Sequence, residues 1–171
     1  MRQHIKEYDS TSIKIPAYSG EGDGLTVELT ITAYPSGSQS VSASGNIACA
    51  LKENFRRVIG IMSSINSSWE KIENFDYHLD SSNDCFLVKD SKSSSMAISI
   101  ALFNLYRVSC GKSAVSGLTG TGILRIDGSF ENAHFETEKA TISNGFFFVS
   151  PSICRNLFVL ESLMNQYHKR S

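Results

Sequence analysis

The chain has 171 residues, 41% of them hydrophobic and 10% aromatic, which is enough for one domain with a real core and too apolar for a disordered segment. Sixteen basic residues against seventeen acidic ones leave a net charge of −1, so the chain lacks the basic excess of a duplex binder and nucleic acid is not expected as a partner. No apolar run approaches the ~20 residues that span a bilayer, and Met1 to Lys6 opens no apolar signal segment, so neither membrane insertion nor export is expected and a cytoplasmic location is.

Residues 11–19 alternate weakly, and Pro16 suits an edge strand. Residues 21–24 (EGDG) form a turn, and 25–34 (LTVELTITAY) carry the period-2 pattern of a half-buried strand. A second turn over 35–38 leads to a strand over 39–45, and the two strands are expected to pair as a hairpin. Asn46 is the expected N-cap of a helix over 47–65, with Leu51, Phe55, Val58, Ile59 and Met62 on its apolar face. Lys52, Glu53, Arg56 and Arg57 fall on the opposite side and read as a solvated face. Residues 66–73 form a polar connector around Trp69, and 75–79 and 85–88 read as short strands.

A serine cluster, KDSKSSS over 89–95, precedes a helical stripe of Ala97, Ile98, Ala101, Leu102, Leu105 and Val108, with Gly111 at its stop. Short β pieces follow at 114–118, 122–126 and 129–133, then a helix over 134–145 ended by Asn144–Gly145. Residues 146–150 (FFFVS) read as a buried strand. Pro151 suits the first turn of a terminal helix over 151–167 with Ile153, Leu157, Leu160 and Met164 on one face. Strands and helices alternate irregularly, which predicts a single α+β (or α/β) domain over 1–171.

The four cysteines (Cys49, Cys85, Cys110, Cys154) and four histidines (His4, His78, His134, His168) are scattered, without CxxC or HxxxH spacing. Buried free thiols are therefore expected, and no metal or cofactor site. Ser93 opens a helix, where unpaired amides and the positive dipole end can stabilise an oxyanion, although Ser93 or Ser94 would also serve as an ordinary N-cap. No histidine is placed to activate that hydroxyl. A lysine can do so if burial makes it neutral, and Lys139, beside Ala140 and Ile142, is the candidate, with pairing to Glu136 or Glu138 as the plainer role.

Several segments, in order, resemble the proteolytic domain of the Lon protease family. Gly22 to Glu28 is similar to that domain's G-D-x-L-x-x-E strand, Pro35 to Ser38 to its P-G-x-G turn, Ser44 to Ala48 to T-G-x-L-G, and Leu51 to Asn54 to M-K-E-S. KDSKSSS resembles K-D-G-P-S-A-G, which sets Ser93 on the nucleophile. Thr121–Gly122 falls on T-G-E, Asp127–Gly128 on L-x-G, and Glu138–Lys139 on the end of G-G-L-K-E-K, whose last lysine is the base. The sequence departs from the pattern at Lys92, at Ser94–Ser95, at Ile123 and at His134–Phe135, where the family has proline, Ala-Gly, glutamate and Gly-Gly. The resemblance covers roughly residues 20–145, with 151–171 as a C-terminal helix beyond it.

The resemblance implies a Lon-type fold, similar to the second domain of a small-subunit ribosomal protein, with mixed sheets and about four helices. It also implies a stand-alone serine endopeptidase with a Ser93–Lys139 dyad, an oxyanion site at the Ser93 and Ser94 amides, Thr121 orienting the lysine, and Asp90 able to pair with it and hold it charged. Unfolded proteins or peptides would be the substrates, a homo-oligomeric ring the assembly, and a separate ATPase a further partner, since no GxxxxGK[ST] motif occurs in the chain. The alternative is a catalytically silent Lon-like scaffold, similar to the C-terminal domain of the recombination protein RadA and serving assembly in nucleic-acid processing. The departures beside the nucleophile favour that alternative, which expects Lys139 to point into solvent.

Overall fold

The computed structural model describes residues 9–18, 20–35, 38–81 and 92–170. Four strands form the main sheet: β1 (Asp9–Ala17), β2 (Leu25–Pro35), β3 (Val41–Ala43) and β4 (Phe75–Ser81), in the order β1-β2-β4-β3. Val27, Leu29, Ile31 and Ala33 alternate inward along β2, so this strand is central and carries the core face of the sheet. β1 lies at the edge, where Pro16 removes no ladder bond that the sheet needs.

The expected hairpin between 25–34 and 39–45 does not form. β2 pairs antiparallel with β1 on one side and with β4 on the other, while β3 runs parallel to β4. A parallel pair needs a crossover, and α1 (Cys49–Ile65) followed by a 3₁₀ helix (Ser67–Asn74) supplies it. The connector over 66–73 is thus structured, and its Trp69 is fully buried, edge-on to Phe103 at 5.1 Å. Asn46 does not cap α1. Ala48 holds that position, and Asn46 instead donates to the Ser81 carbonyl and accepts from the Ser44 hydroxyl, joining β3 to β4.

α2 (Ser95–Ser109) is the central helix, buried from Ser95 through Leu105 and not only along the predicted stripe, as befits a helix covered on all sides. Beyond it lie β5 (Leu118–Gly120), β6 (Ile123–Leu124), β7 (Phe130–Glu131), α3 (Glu136–Ile142), β8 (Phe147–Val149) and α4 (Leu157–Arg170). β5 pairs parallel with β8, and β6 antiparallel with β7. β8 was expected to be buried, but only Val149 is, with Phe147 exposed.

α4 starts six residues later than predicted. Pro151 lies in a turn, and Asn156 caps the helix by accepting from the Val159 amide at 2.9 Å, so Ile153 falls outside the helix and is exposed. Of the cysteines expected to be buried, Cys154 is, whereas Cys49 is exposed and Cys110 half-buried; Cys85 and the strand expected at 85–88 lie outside the described residues. The whole is a mixed α+β arrangement, and among the described residues no helix is long and apolar enough to cross a membrane.

Candidate active site

Two backbone elements meet where α2 begins. A 3₁₀ turn, Lys92–Ser94, runs directly into the helix, and the segment Thr121–Gly122 passes beside it after β5. The Ser93 carbonyl accepts from the Gly122 amide at 3.1 Å and from the Thr121 hydroxyl at 3.2 Å, and the Met96 amide donates to the Gly122 carbonyl at 3.2 Å. The Thr121 amide in turn donates to the Val149 carbonyl at 3.0 Å. These bonds clip the serine turn to the β5–β8 pair. The clip requires glycine at 120, because a Cβ there would stand 2.2 Å from the Val149 carbonyl oxygen.

α3 delivers the lysine. Lys139 is 5% exposed, and its Nζ lies 3.1 Å from Ser93 Oγ and 3.5 Å from Thr121 Oγ1, although 46 residues separate it from Ser93. Ser93 and Thr121 are themselves buried. The structure thus brings together three of the residues singled out in the sequence, and Lys139 does not point into solvent. Glu138 faces water, while Glu136 is half-buried in the first turn of α3 with one carboxylate oxygen lacking a hydrogen-bond partner among the described residues. Asp90 lies outside the described residues.

α3 is entered through a strained residue. Phe135 occupies the N-cap position with φ 60° and ψ 36°, in the left-handed region, and makes no side-chain cap bond. A non-glycine residue there costs roughly 1–2 kcal/mol. The edge-on contact of its ring with Tyr18, at 5.1 Å, offsets part of that strain. This is the position where the resemblance expects glycine, and Phe135 there adopts a backbone conformation that favours glycine.

Ser94, the second residue of the expected oxyanion site, takes the N-cap position of α2 without capping it. Its hydroxyl accepts instead from Asn54 Nδ2 at 3.0 Å. Asn54 belongs to a network that was not read from the sequence. Arg57 donates to Asn54 Oδ1 at 3.1 and 3.2 Å, to Ser95 Oγ at 3.1 Å and to the Leu124 carbonyl, while Ser95 Oγ donates to the Lys92 carbonyl. Arg57, expected on a solvated face, is therefore half-buried and ties α1 to the serine turn and to β6; burial lowers its pKa from the ordinary value. Its three-residue spacing from Asn54 places both on one side of the helix, the only local signal available. Arg56, one residue earlier, is exposed as expected.

Among the described residues, no three His, Cys, Asp or Glu side chains converge as metal ligands would. No protein-family model matches the chain, and no curated protein matches it.

Proposed function

We propose that this chain is a serine peptidase of Lon-like fold that hydrolyses peptide bonds with a Ser93–Lys139 dyad. One observation carries the reading: Nζ of a buried lysine stands 3.1 Å from Oγ of a buried serine at the start of a helix. Hydrogen-bond reach between nucleophile and base is the geometric requirement for nucleophilic catalysis. The ordered run of Lon-like motifs supports it independently of that distance.

The chemistry follows from the positions. A lysine in water, with a pKa of ~10.4, is protonated at neutral pH and cannot act as a base. Burial disfavours the ammonium, and Ser93 Oγ and Thr121 Oγ1 are hydroxyls within reach of Nζ. Once neutral, Nζ accepts the Ser93 proton as Oγ attacks the peptide carbonyl. It then passes that proton to the departing amine, leaving an acyl-serine. Water, deprotonated by the same Nζ, releases the carboxylate and restores the serine. Thr121 fixes the lysine laterally, and the amides at Ser93 and Ser94 face the developing oxyanion at the helix start, where one such donor is typically worth ~10²–10³ in rate.

The scaffold reading expected a lysine directed to solvent, and an exposure of 5% at Lys139 counts against it. The test is cleavage of an unfolded protein such as casein by wild type, Ser93→Ala and Lys139→Arg. Wild-type rate should rise from pH 7 toward 9, as the fraction of neutral lysine grows. Both variants should be inactive, because arginine keeps its proton. Circular dichroism should show Ser93→Ala folded, with stability within ~1 kcal/mol of wild type, since the bonds that clip the turn to Thr121 and Gly122 run through the Ser93 carbonyl and not its hydroxyl. Cleavage that persists in Lys139→Arg would remove the base, and a folded wild type without activity would return the domain to the scaffold reading.

A further inference from the structure

A second set of charged side chains converges at the other end of α2, about 18 Å along the helix axis from Ser95 to Arg107. There α2 with the residues that follow it, α4 and the 3₁₀ helix 67–74 line an open cavity of about 360 Å³. Arg107 lies in its wall and is 7% exposed. Its Nε donates to the Ser113 carbonyl at 2.9 Å and one Nη to Asn165 Oδ1. A guanidinium carries five N–H donors, so three remain beyond these two. Glu161 lines the same cavity and accepts from Trp69 Nε1 at 2.5 Å.

These opposite charges face one space without forming an ion pair among the described residues. The reason is geometric. Asn165, which holds Arg107, follows Glu161 by one turn of α4, and residues four apart on a helix stand ~6 Å from each other on the same face. The negative end of the α2 dipole accounts for part of the stability of a buried cation at Arg107, in the last turn. It does not account for the Glu161 carboxylate that lines the same cavity without pairing to Arg107. A charge pair kept apart in this way matches a ligand that carries both signs on neighbouring atoms.

We propose that this cavity binds a small zwitterion of the α-amino-acid type. The ligand carboxylate takes the remaining Arg107 donors, with Lys112 at the exposed mouth adding to its attraction. The ligand ammonium donates to Glu161. An apolar side chain packs against Phe103 and Met164, which line the same wall. The site lies apart from Ser93, and the proposal is independent of peptidase activity.

Titration calorimetry on the full chain tests it with three probes of one shape: L-phenylalanine, 3-phenylpropionate and 2-phenylethylamine. L-Phenylalanine should bind at least about tenfold tighter than either partial analogue, the loss expected when a charged partner is left unpaired. Glu161→Gln retains an acceptor for Trp69 and should bring L-phenylalanine and 3-phenylpropionate to within about threefold of each other. Arg107→Lys should weaken both acids at least about tenfold; if it fails to fold, Glu161→Gln decides. No saturable binding of L-phenylalanine up to about 10 mM would overturn the site. Equal binding of 3-phenylpropionate to wild type would overturn the zwitterion.

Discussion

Replacing Arg57 by methionine keeps most of the stem and removes the guanidinium that joins three elements. Asn54 Oδ1, Ser95 Oγ and the Leu124 carbonyl each lose a charged donor, and all three residues are buried. Losing a charged donor to a buried acceptor costs about 1–3 kcal/mol, and of the side-chain donors in this network only Ser95 Oγ, at a long 3.5 Å, still reaches Asn54 Oδ1. Arg57 itself is only half-buried, so water reaches part of the site and moderates the loss. A destabilisation of about 3 kcal/mol is expected, which for a domain of this size lowers Tm by roughly 6–12 °C. Arg56→Met is the internal control. Arg56 is exposed and makes one bond, to the Val41 carbonyl at 3.1 Å, so its loss should cost under about 1 kcal/mol. Calorimetric melting of both variants, with Asn54→Ala alone and combined with Arg57→Met, measures the effect and its coupling; a coupling of about 1 kcal/mol is expected for residues in one network. Equal melting of Arg56→Met and Arg57→Met would refute the anchoring role.

Two glycines should respond with opposite signs. Gly120→Ala drives a Cβ into the Val149 carbonyl and should destabilise by about 3 kcal/mol or more, whereas Gly60→Ala, in the interior of α1 with nothing within 4 Å, should stabilise by about 0.5–1 kcal/mol. Urea unfolding of the two variants reads both, and a tolerated Gly120→Ala would undo the account of the β5–β8 clip. In native protein, iodoacetamide should modify exposed Cys49 well before Cys154, which is 0% exposed and whose thiol is pushed up to about 11 by burial, so that little nucleophilic thiolate exists near neutral pH. Peptide mass mapping over time gives the order, and early labelling of Cys154 would contradict its burial.

Periodicity made β2, α1 and α2 legible because each buries a face of its own, and residues named from spacing, such as Leu51, Phe55 and Leu102, are among the most buried. Pairing was not legible. β3 has three residues, and nothing in Val41–Ser42–Ala43 distinguishes an antiparallel neighbour in β2 from a parallel one in β4. The start of α4 was misplaced because proline signals the first turn of a helix only when no better cap follows, and Asn156 follows. Arg57 was misread because its burial comes from Leu124, 67 residues away, a contact that helix periodicity cannot contain. The proximity of Lys139 to Ser93 has no local signature either; only the order of motifs along the chain suggested it.

The contact between Lys139 and Ser93 has a physical basis in what holds it. The serine turn is fixed by the amides and carbonyls of Ser93, Met96 and Gly122, and the Thr121 segment by the carbonyl of Val149. Side-chain identity at positions 92, 94 and 95 enters none of those backbone bonds, so substitutions there should leave Ser93 in place. The serines even add side-chain bonds to Asn54 and Arg57 that apolar residues could not make. At the entry to α3 the demand is greater, because Phe135 must hold a backbone conformation suited to glycine. The Tyr18 contact answers that demand from outside α3, and the ring also meets Gly20, where a Cβ would stand 3.2 Å from it. The 3.1 Å contact between Lys139 and Ser93 therefore rests on backbone bonds around Ser93 and Thr121 and on Lys139 itself, and not on the side chains at 92, 94 and 95.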